Sequence, residues 1–153
     1  MKNYTFRDLR LVDRSKIPIK MKEIDNSKTV FAPHLQVKNV LAGMEFYKKA
    51  FHATELRRWS NPDGSVHVAE MSIDGAMFHI HEETGREDQL SPETAHAVTS
   101  LIGIFVPDPD TMVKNAIAAG GKLSSPLKDY DYGYRQGVVT DPSGHQWLIQ
   151  KKI

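Results

Sequence analysis

The sequence contains no cysteine, and this absence removes several kinds of site at once. Disulfide bonds, thiolate ligands for a metal ion and a cysteine nucleophile are all excluded, so any metal ion must be held by histidine, aspartate or glutamate. The chain also lacks a run of about 18 apolar residues, the length that a membrane-spanning helix needs, and its first residues lack the apolar stretch of a signal peptide. We therefore expect a cytoplasmic protein with no membrane partner.

A strong excess of one charge is missing too. The 153 residues include 20 lysines and arginines against 19 aspartates and glutamates, which gives a formal net charge of +1 at pH 7. Such a balance produces no long-range field that would attract nucleic acid or an anionic membrane. The length predicts one domain, and the charge predicts no nucleic-acid partner.

Residues 1–29 are predicted to form an N-terminal arm. They mix charges and contain one alternating stretch, residues 17–22, in which three apolar residues are separated by Pro18 and a lysine. Because proline is tolerated at the edge of a sheet, this stretch is typical of an edge strand. The domain itself is predicted to span residues 30–153.

The first half of the domain predicts one strand, one helix and then three strands. Leu35 and Val37 lie on one side of a strand, and apolar residues recur every three or four positions at residues 40–51, as in an amphipathic helix. Turn sequences at residues 61–64 and 74–75 then separate three stretches of alternating polarity. The predicted order of elements is βαβββ.

The second half repeats this order after a polar linker at residues 84–97. A strand in SLIGIFVPD precedes a helix closed by glycine, and a short strand and a hairpin around DPSG follow. One βαβββ half alone would expose a whole sheet face, so the two halves must combine. The sequence therefore predicts an α+β fold in which two βαβββ modules form a cupped mixed sheet, with a cavity on the face that carries no helix.

Five stretches between Val30 and about Gln150 carry a resemblance to a known family. They are PHLQVKNVLAGMEFYKKAFHATELRRW, the turn NPDG, HVAEMSIDG, IAAGGKL and DPSGHQWLI. Together they resemble the vicinal oxygen chelate superfamily of glyoxalases, bleomycin-resistance proteins and extradiol dioxygenases, in particular its PhnB-like branch. The resemblance implies the glyoxalase/bleomycin-resistance fold, a homodimer and a small-molecule ligand. It implies no single reaction, because the superfamily includes isomerases, ring-cleaving dioxygenases, epoxide-opening enzymes and proteins that only bind a drug.

The resemblance also implies where metal ligands would lie, namely on the first strand and on a late strand of each half. In the first half Glu70 matches the late-strand position, and His34 lies two residues beyond the first-strand position at Ala32, on the same face. In the second half the corresponding positions are occupied by Leu101 and Leu148, whose side chains cannot bind a metal ion. The resemblance therefore implies that the family's set of four ligands is incomplete here.

Two further histidines are predicted to face the cavity. In AMFHIHEE the phenylalanine and the isoleucine should pack toward the helix, which turns His79 and His81 to the opposite face, beside the strand of Glu70. With His34 they offer donors suited to zinc, iron, nickel or manganese. The same groups can instead transfer protons without a metal ion or hold an anionic ligand, because histidine titrates near neutral pH.

Aromatic side chains extend the candidate site. Tyr130, Tyr132 and Tyr134 alternate beside Arg135, a combination that could close over the cavity with aromatic faces and one cation. Trp59 ends its strand near the predicted mouth of the cavity. The residues predicted to be structural, as hydrogen-bonding or core groups, are His67, His145 and Trp147.

Three hypotheses for the function stay open. The leading one is a small-molecule-binding protein whose cavity is lined by Glu70 and histidines. The alternative is a metal-dependent lyase or dioxygenase with a rearranged site of His34, Glu70, His79 and His81, and the third is a metal-free acid–base enzyme. In an enzyme, Glu70 and His34 are the predicted catalytic residues. The predicted ligand contacts are Trp59, His79, His81, Tyr132, Tyr134 and Arg135.

Overall fold

A computed structural model of the chain describes Ser27 and residues 29–153. The edge strand predicted at residues 17–22 lies outside the described residues. Within the described part of the chain, no helix is long and apolar enough to cross a membrane.

Two successive βαβββ units account for the order of the elements. The first unit consists of β1 (His34–Val37), α1 (Val40–Phe51), β2 (Thr54–Ser60), β3 (Val66–Ile73) and β4 (Ala76–Glu82). The short helix α2 (Pro92–Ala95) lies in the linker. The second unit consists of β5 (Leu101–Phe105), α3 (Pro109–Ala118), β6 (Lys122–Tyr130), β7 (Tyr134–Thr140) and β8 (Gln146–Lys152). The helix predicted at residues 40–51 is confirmed.

Each unit folds into a four-stranded mixed sheet. The strand order is β1-β4-β3-β2 in the first sheet and β5-β8-β7-β6 in the second. In both sheets the first strand of the unit runs parallel to the last, and the other neighbours are antiparallel. A parallel pair needs a crossover connection, and each unit includes a helix in that connection. The predicted α+β fold of paired βαβββ modules is confirmed.

The helix α1 begins and ends at residues that cap it. The side chain of Asn39 accepts a hydrogen bond from the Ala42 amide, and His52 follows the helix with a left-handed φ of 54°. Lys48 and Lys49 lie in the last turn, where positive charge complements the helix dipole. The caps define where α1 begins and ends, and its buried residues pack in the core.

The two units share one hydrophobic core, formed by the helix-facing sides of both sheets. Trp147 of β8 is 1% exposed, as predicted for a core residue. Its ring lies 5.4 Å from Tyr47, 4.8 Å from Phe51 and 5.9 Å from Phe78, measured between centroids. These three rings belong to the first unit, so Trp147 joins the two halves of the chain.

Candidate functional site

The strand register of the first sheet aligns two rows of side chains on the face that carries no helix, here called the bare face. The opposite face is set by the buried residues Leu35, Ala69 and Ile80, which lie in the core. Pairing across β1, β4, β3 and β2 places one row at His34, His79, Glu70 and Arg57. The second row is Gln36, His81, Val68 and Trp59.

Three imidazoles cluster at the β1–β4 end of these rows. The ring of His34 stacks on His79 at a centroid distance of 4.3 Å and an interplanar angle of 6°. It lies 4.9 Å from the ring of His81. One ring nitrogen from each of the three residues lies within 4.8 Å of the other two. The structure thus brings together three of the four residues predicted to converge, and we call them the histidine triad.

Burial and repulsion between neighbouring imidazoles favour the neutral form of His79 and His81. Burial lowers the pKa of His81 to about 4, and the neighbouring His34 and His79 add to the effect. Burial and His34 also lower the pKa of His79, although Glu70 acts in the opposite direction. A neutral imidazole keeps a free lone pair, which can accept a hydrogen bond or bind a metal ion.

Two polar atoms beside the triad are buried without a hydrogen-bond partner among the described residues. They are Nε2 of His81 and Oε1 of Gln36. The two residues are register partners in the second row. An unpartnered polar atom that is buried costs roughly 1–3 kcal/mol. A ligand or ion that satisfies these atoms would recover part of that free energy.

Glu70 lies next to the triad but outside it. Its carboxylate is 4.0 Å from Nε of Arg57, and its side chain is 17% exposed. A carboxylate on a central strand is costly to bury without a partner of opposite charge, and Arg57 is that partner here. The adjacent Arg58 pairs instead with Glu55. In the first row, Glu70 on β3 therefore lies between His79 on β4 and Arg57 on β2.

Of the aromatic residues predicted to contact a ligand, Trp59 lies on the bare face of the first sheet. Its ring is 5.1 Å from Cζ of Arg57. Tyr132 and Tyr134 belong to the second unit, where their rings are 5.9 Å apart. Tyr134 also lies 5.9 Å from Phe105. These tyrosines form an aromatic surface of their own, separate from the two rows.

Arg135 is directed toward α3. Its guanidinium bonds Asp110 of α3 with two nitrogens and Asp129 with a third. This cation is therefore occupied by two carboxylates, and we leave it out of the candidate site. Among the residues predicted to be structural, His145 donates a 2.8 Å hydrogen bond from Nε2 to the carbonyl oxygen of Gln36. That contact fixes the DPSG turn to β1.

The equivalent face of the second sheet offers no imidazole or carboxylate at the corresponding register positions. Leu101 pairs with Gln146 and Gly103 pairs with Leu148, where the first sheet has His34 opposite His79. Leu101 and Leu148 thus occupy the positions at which the resemblance implies that ligands are missing. The groups that could hold a metal ion, His34, His79 and His81, lie in the first unit.

A cavity of about 1370 Å³ opens between the two units, along the outer edges of β1 and β5. His34 and Gln36 line it, so the triad meets the cavity at His34. Its volume exceeds the range of about 300–1,000 Å³ that is usual for a small-molecule pocket. The other members of the two rows do not line this cavity.

Two residues of the candidate site, Gln36 and Arg57, were not predicted from the sequence. A signal for both was available, because each lies two residues from a predicted site residue on the same strand. Gln36 follows His34, and Arg57 precedes Trp59. Residues at this spacing share a face of a strand.

Comparison with known proteins decides the family. A profile of the glyoxalase/bleomycin resistance protein/dioxygenase superfamily matches residues 29–149, which is most of the chain. The chain belongs to this superfamily. The superfamily resemblance of the sequence is thereby confirmed, and its PhnB-like branch stays a prediction.

Two relatives in sequence are mycobacterial proteins that are named as uncharacterised. Mb0911c of Mycobacterium bovis is 30% identical over 131 residues, which cover 84% of this chain and 86% of that protein. Rv0887c of Mycobacterium tuberculosis is also 30% identical over 131 residues, covering 84% of this chain and 77% of that protein.

Solved structures show the same superfamily fold. TioX from Micromonospora sp. ML1 matches with a TM-score of 0.65 and 21% identity, over 82% of this chain and all of that one. The fosfomycin resistance protein FosX from Mesorhizobium loti matches with a TM-score of 0.60 and 12% identity, over 82% of this chain and 93% of that one. At these identities the likeness concerns the fold alone.

Proposed function

We propose that the protein binds a small molecule on the bare face of the first sheet, beside the histidine triad. The observation that carries this proposal is the pair of buried, unpartnered atoms on Gln36 and His81 next to three clustered imidazoles. Polar groups are left without partners in native proteins at few places, and a binding site is one of them. Glu70 and His34 orient the ligand by hydrogen bonding, since both lie in the first row.

The triad also fits a divalent transition metal ion. It offers one ring nitrogen from each of three histidines within 4.8 Å of one another, and the unpartnered Nε2 of His81 is available to bind an ion. Zinc, iron, nickel and manganese all accept imidazole ligands. When bound, such an ion would polarise an oxygen atom of the small molecule. Glu70 would then act on the ligand as a hydrogen-bond acceptor from the adjacent position in the row.

We favour binding over a metal-dependent lyase or dioxygenase reaction. In the family resemblance, the metal-dependent members take two ligands from the second half. The register of β5 and β8 puts leucine, glycine and glutamine at those positions instead. The first unit alone could hold an ion. The chain nevertheless lacks the complete set of four ligands that the resemblance implies for the metal-dependent enzymes.

The test is metal content and metal affinity of untagged protein, measured by elemental mass spectrometry and by titration with zinc, iron, nickel and manganese. We expect roughly one ion per chain, as for a site with three protein ligands. His79→Ala should abolish this binding, whereas the exposed His96→Asn should retain it; asparagine tolerates the left-handed φ of 51° at that position. Absence of binding in the wild-type protein, or equal binding by both variants, would refute the metal site.

We also propose that two copies of the chain associate along β1 and β5. Both strands are outer edges of their sheets. Large apolar side chains are exposed around them, with Phe31 at 90%, Leu101 at 51% and Phe105 at 60%. Open edges and exposed apolar surface are typical of interfaces. A second copy of the chain would cover the open strand edges and the exposed apolar side chains. The cavity beside them is too large for one small ligand, which also favours a larger partner.

The oligomeric state tests this proposal directly. Sedimentation of the wild-type protein should give a dimer, and Phe105→Asp should shift it to the monomer. Lys114→Asp, a change on an exposed position of α3, serves as the matched control and should leave the dimer intact. A wild-type monomer at high micromolar concentration would contradict the proposal.

We also propose that the protein is located in the cytoplasm, and fractionation of cells would test this location.

A further inference from the structure

We infer that Arg57, held against Trp59, binds the anionic group of the ligand, and that the ligand is an organic acid with an apolar body. This inference rests on the proposed function, because it assigns a ligand class to the same bare face. It concerns the end of the two rows that lies away from the triad, where no metal donor is present.

Arg57 differs from the other arginines in the described part of the chain. Arg58, Arg86 and Arg135 each bond a carboxylate with two guanidinium nitrogens. Arg57 has a single ion-pair contact, with Glu70, and that contact is 4.0 Å long. No hydrogen bond joins its guanidinium to another described residue at shorter range. Several N–H donors of Arg57 therefore face solvent, on a side chain that is 38% exposed.

The position of this guanidinium is nevertheless defined. Trp59 lies two residues further along β2, on the same face, and its ring is 5.1 Å from Cζ of Arg57. A cation over an indole ring is attracted by the quadrupole of the ring. Less rotational freedom is then lost when a ligand binds, since the guanidinium is already held in place.

A planar guanidinium with free donors matches a carboxylate or a phosphate, which it can bond with two parallel hydrogen bonds. Trp59 offers an apolar ring beside that group, suited to the hydrocarbon body of the ligand. Arg57 and His79 are separated by Glu70 in the first row. At a strand spacing of about 4.8 Å, the anion would lie roughly 10 Å from the triad. An organic acid of six to eight bonds in length spans that interval.

Glu70 accepts a hydrogen bond from the end of the ligand beside the triad, but it competes with the anionic end of the ligand for Arg57. Its carboxylate lies on the triad side of the guanidinium and repels an incoming anion. This repulsion distinguishes an Arg57 that binds the anion from an Arg57 with a purely structural role. Removing the charge of Glu70 should strengthen anion binding, whereas removing the charge of Arg57 should abolish it.

The experiment uses 4-phenylbutyrate as the probe and its neutral amide as the control ligand. Binding is followed by intrinsic fluorescence in the presence of a chelator, because the chain has two tryptophans and Trp147 is buried in the core. The half-buried Trp59 is therefore the reporter, and Trp59→Phe should remove the signal. We expect the acid to bind about tenfold more tightly than the amide, the effect of one charged hydrogen-bonded pair.

Variants of the chain identify the residue responsible. Arg57→Gln should reduce affinity for the acid to that for the amide, and Arg57→Lys should restore part of it, because lysine keeps the charge without the planar fork. Glu70→Gln should tighten binding of the acid. Arg58→Gln is the matched control, with the same change of charge on the same strand, and should bind as the wild type does.

Two outcomes would overturn the inference: equal affinity for acid and amide, or unchanged affinity in Arg57→Gln. Circular dichroism of each variant confirms that the fold is intact. The chelator separates this test from the metal test. If Arg57→Gln still takes up zinc but loses the acid, the inference holds whatever the triad binds. If zinc binds and the acid binds independently of Arg57, the inference alone fails.

Discussion

The hydroxyl of Tyr47 donates a 2.6 Å hydrogen bond to Oδ2 of Asp141, a residue that lies 94 positions later in the chain and in the other βαβββ unit. The same oxygen accepts a bond from Nε1 of Trp147 at 2.9 Å. Oδ1 accepts the backbone amides of Ser143 and His145. Asp141 is 4% exposed, and four donors surround its carboxylate, as a buried charge requires. This network holds the two units together at the DPSG turn.

Tyr47→Phe should therefore destabilise the whole domain. It removes one donor from a buried charged group, for which about 1.5–3 kcal/mol is usual. Tyr132→Phe is the matched control, because that hydroxyl is on a side chain that is 57% exposed and should change stability by less than about 0.5 kcal/mol. Chemical denaturation measures both. Equal effects of the two substitutions would show that the Tyr47 bond contributes nothing.

The same tyrosine predicts a loss of stability at high pH. Burial, followed by the charge of Asp141, raises the pKa of Tyr47 well above its usual value of 10. Above pH 10 this tyrosine ionises in the unfolded chain but stays protonated in the folded chain. Ionisation therefore stabilises the unfolded state, and the free energy of unfolding falls. The slope approaches about 1.4 kcal/mol per pH unit.

Denaturation of the wild type and of Tyr47→Phe between pH 8 and pH 11.5 tests this prediction. The advantage of the wild type should be constant up to about pH 10 and should shrink above it. A difference that stays constant across the whole range would contradict a raised pKa.

His81→Leu should stabilise the protein while it removes metal binding. The buried Nε2 of His81 has no partner among the described residues, and replacing it with an apolar group removes an uncompensated cost of about 1 kcal/mol. His67→Leu, on the neighbouring strand, is the control, because Nδ1 of His67 lies 3.4 Å from Glu82 and the substitution removes that contact. Thermal unfolding without metal distinguishes them. Destabilisation of both variants to the same degree would argue against an unsatisfied atom at His81.

Gly137→Ala should disrupt the pairing of β6 with β7. A Cβ atom at this position would lie 2.9 Å from the backbone nitrogen of Leu127 and 3.0 Å from the carbonyl oxygen of Ser125. Backbone atoms cannot move aside cheaply, so we expect a loss of about 1–3 kcal/mol. Gly43→Ala in α1 meets nothing closer than 3.7 Å and should stabilise the helix by about 0.5–1 kcal/mol. Urea denaturation of both variants measures the contrast.

Much of the fold could be predicted because the relevant patterns are local. The period of apolar residues located α1 at Val40–Phe51. Alternation in β4 predicted that Phe78 and Ile80 face the core and that His79 and His81 face away, and Phe78 and Ile80 are indeed 3% and 0% exposed. The βαβββ order of the second unit could also be predicted, because the two halves of a repeat can be compared position by position.

The candidate site was only partly predictable because it depends on pairs that are far apart in the chain. Arg135 was expected to serve a ligand, yet Asp110, 25 residues earlier, bonds its guanidinium. Trp147 was expected in the core, but the sequence did not indicate that its ring would contact aromatic residues of the first unit. No short-range pattern records either contact.

The sequence by itself determined which residues form strands and helices and which side of each strand they occupy, because side-chain alternation and helical periodicity are properties of neighbouring residues. Only the tertiary structure decided which residues meet across strands. Arg57 lies opposite Glu70 because the register shifts between Glu55 and Arg57, an irregularity that alternation alone cannot reveal. The same pairing decides that Gln36 meets His81. Strand register is set by contacts distant in sequence, and it decides which side chains are neighbours on the bare face.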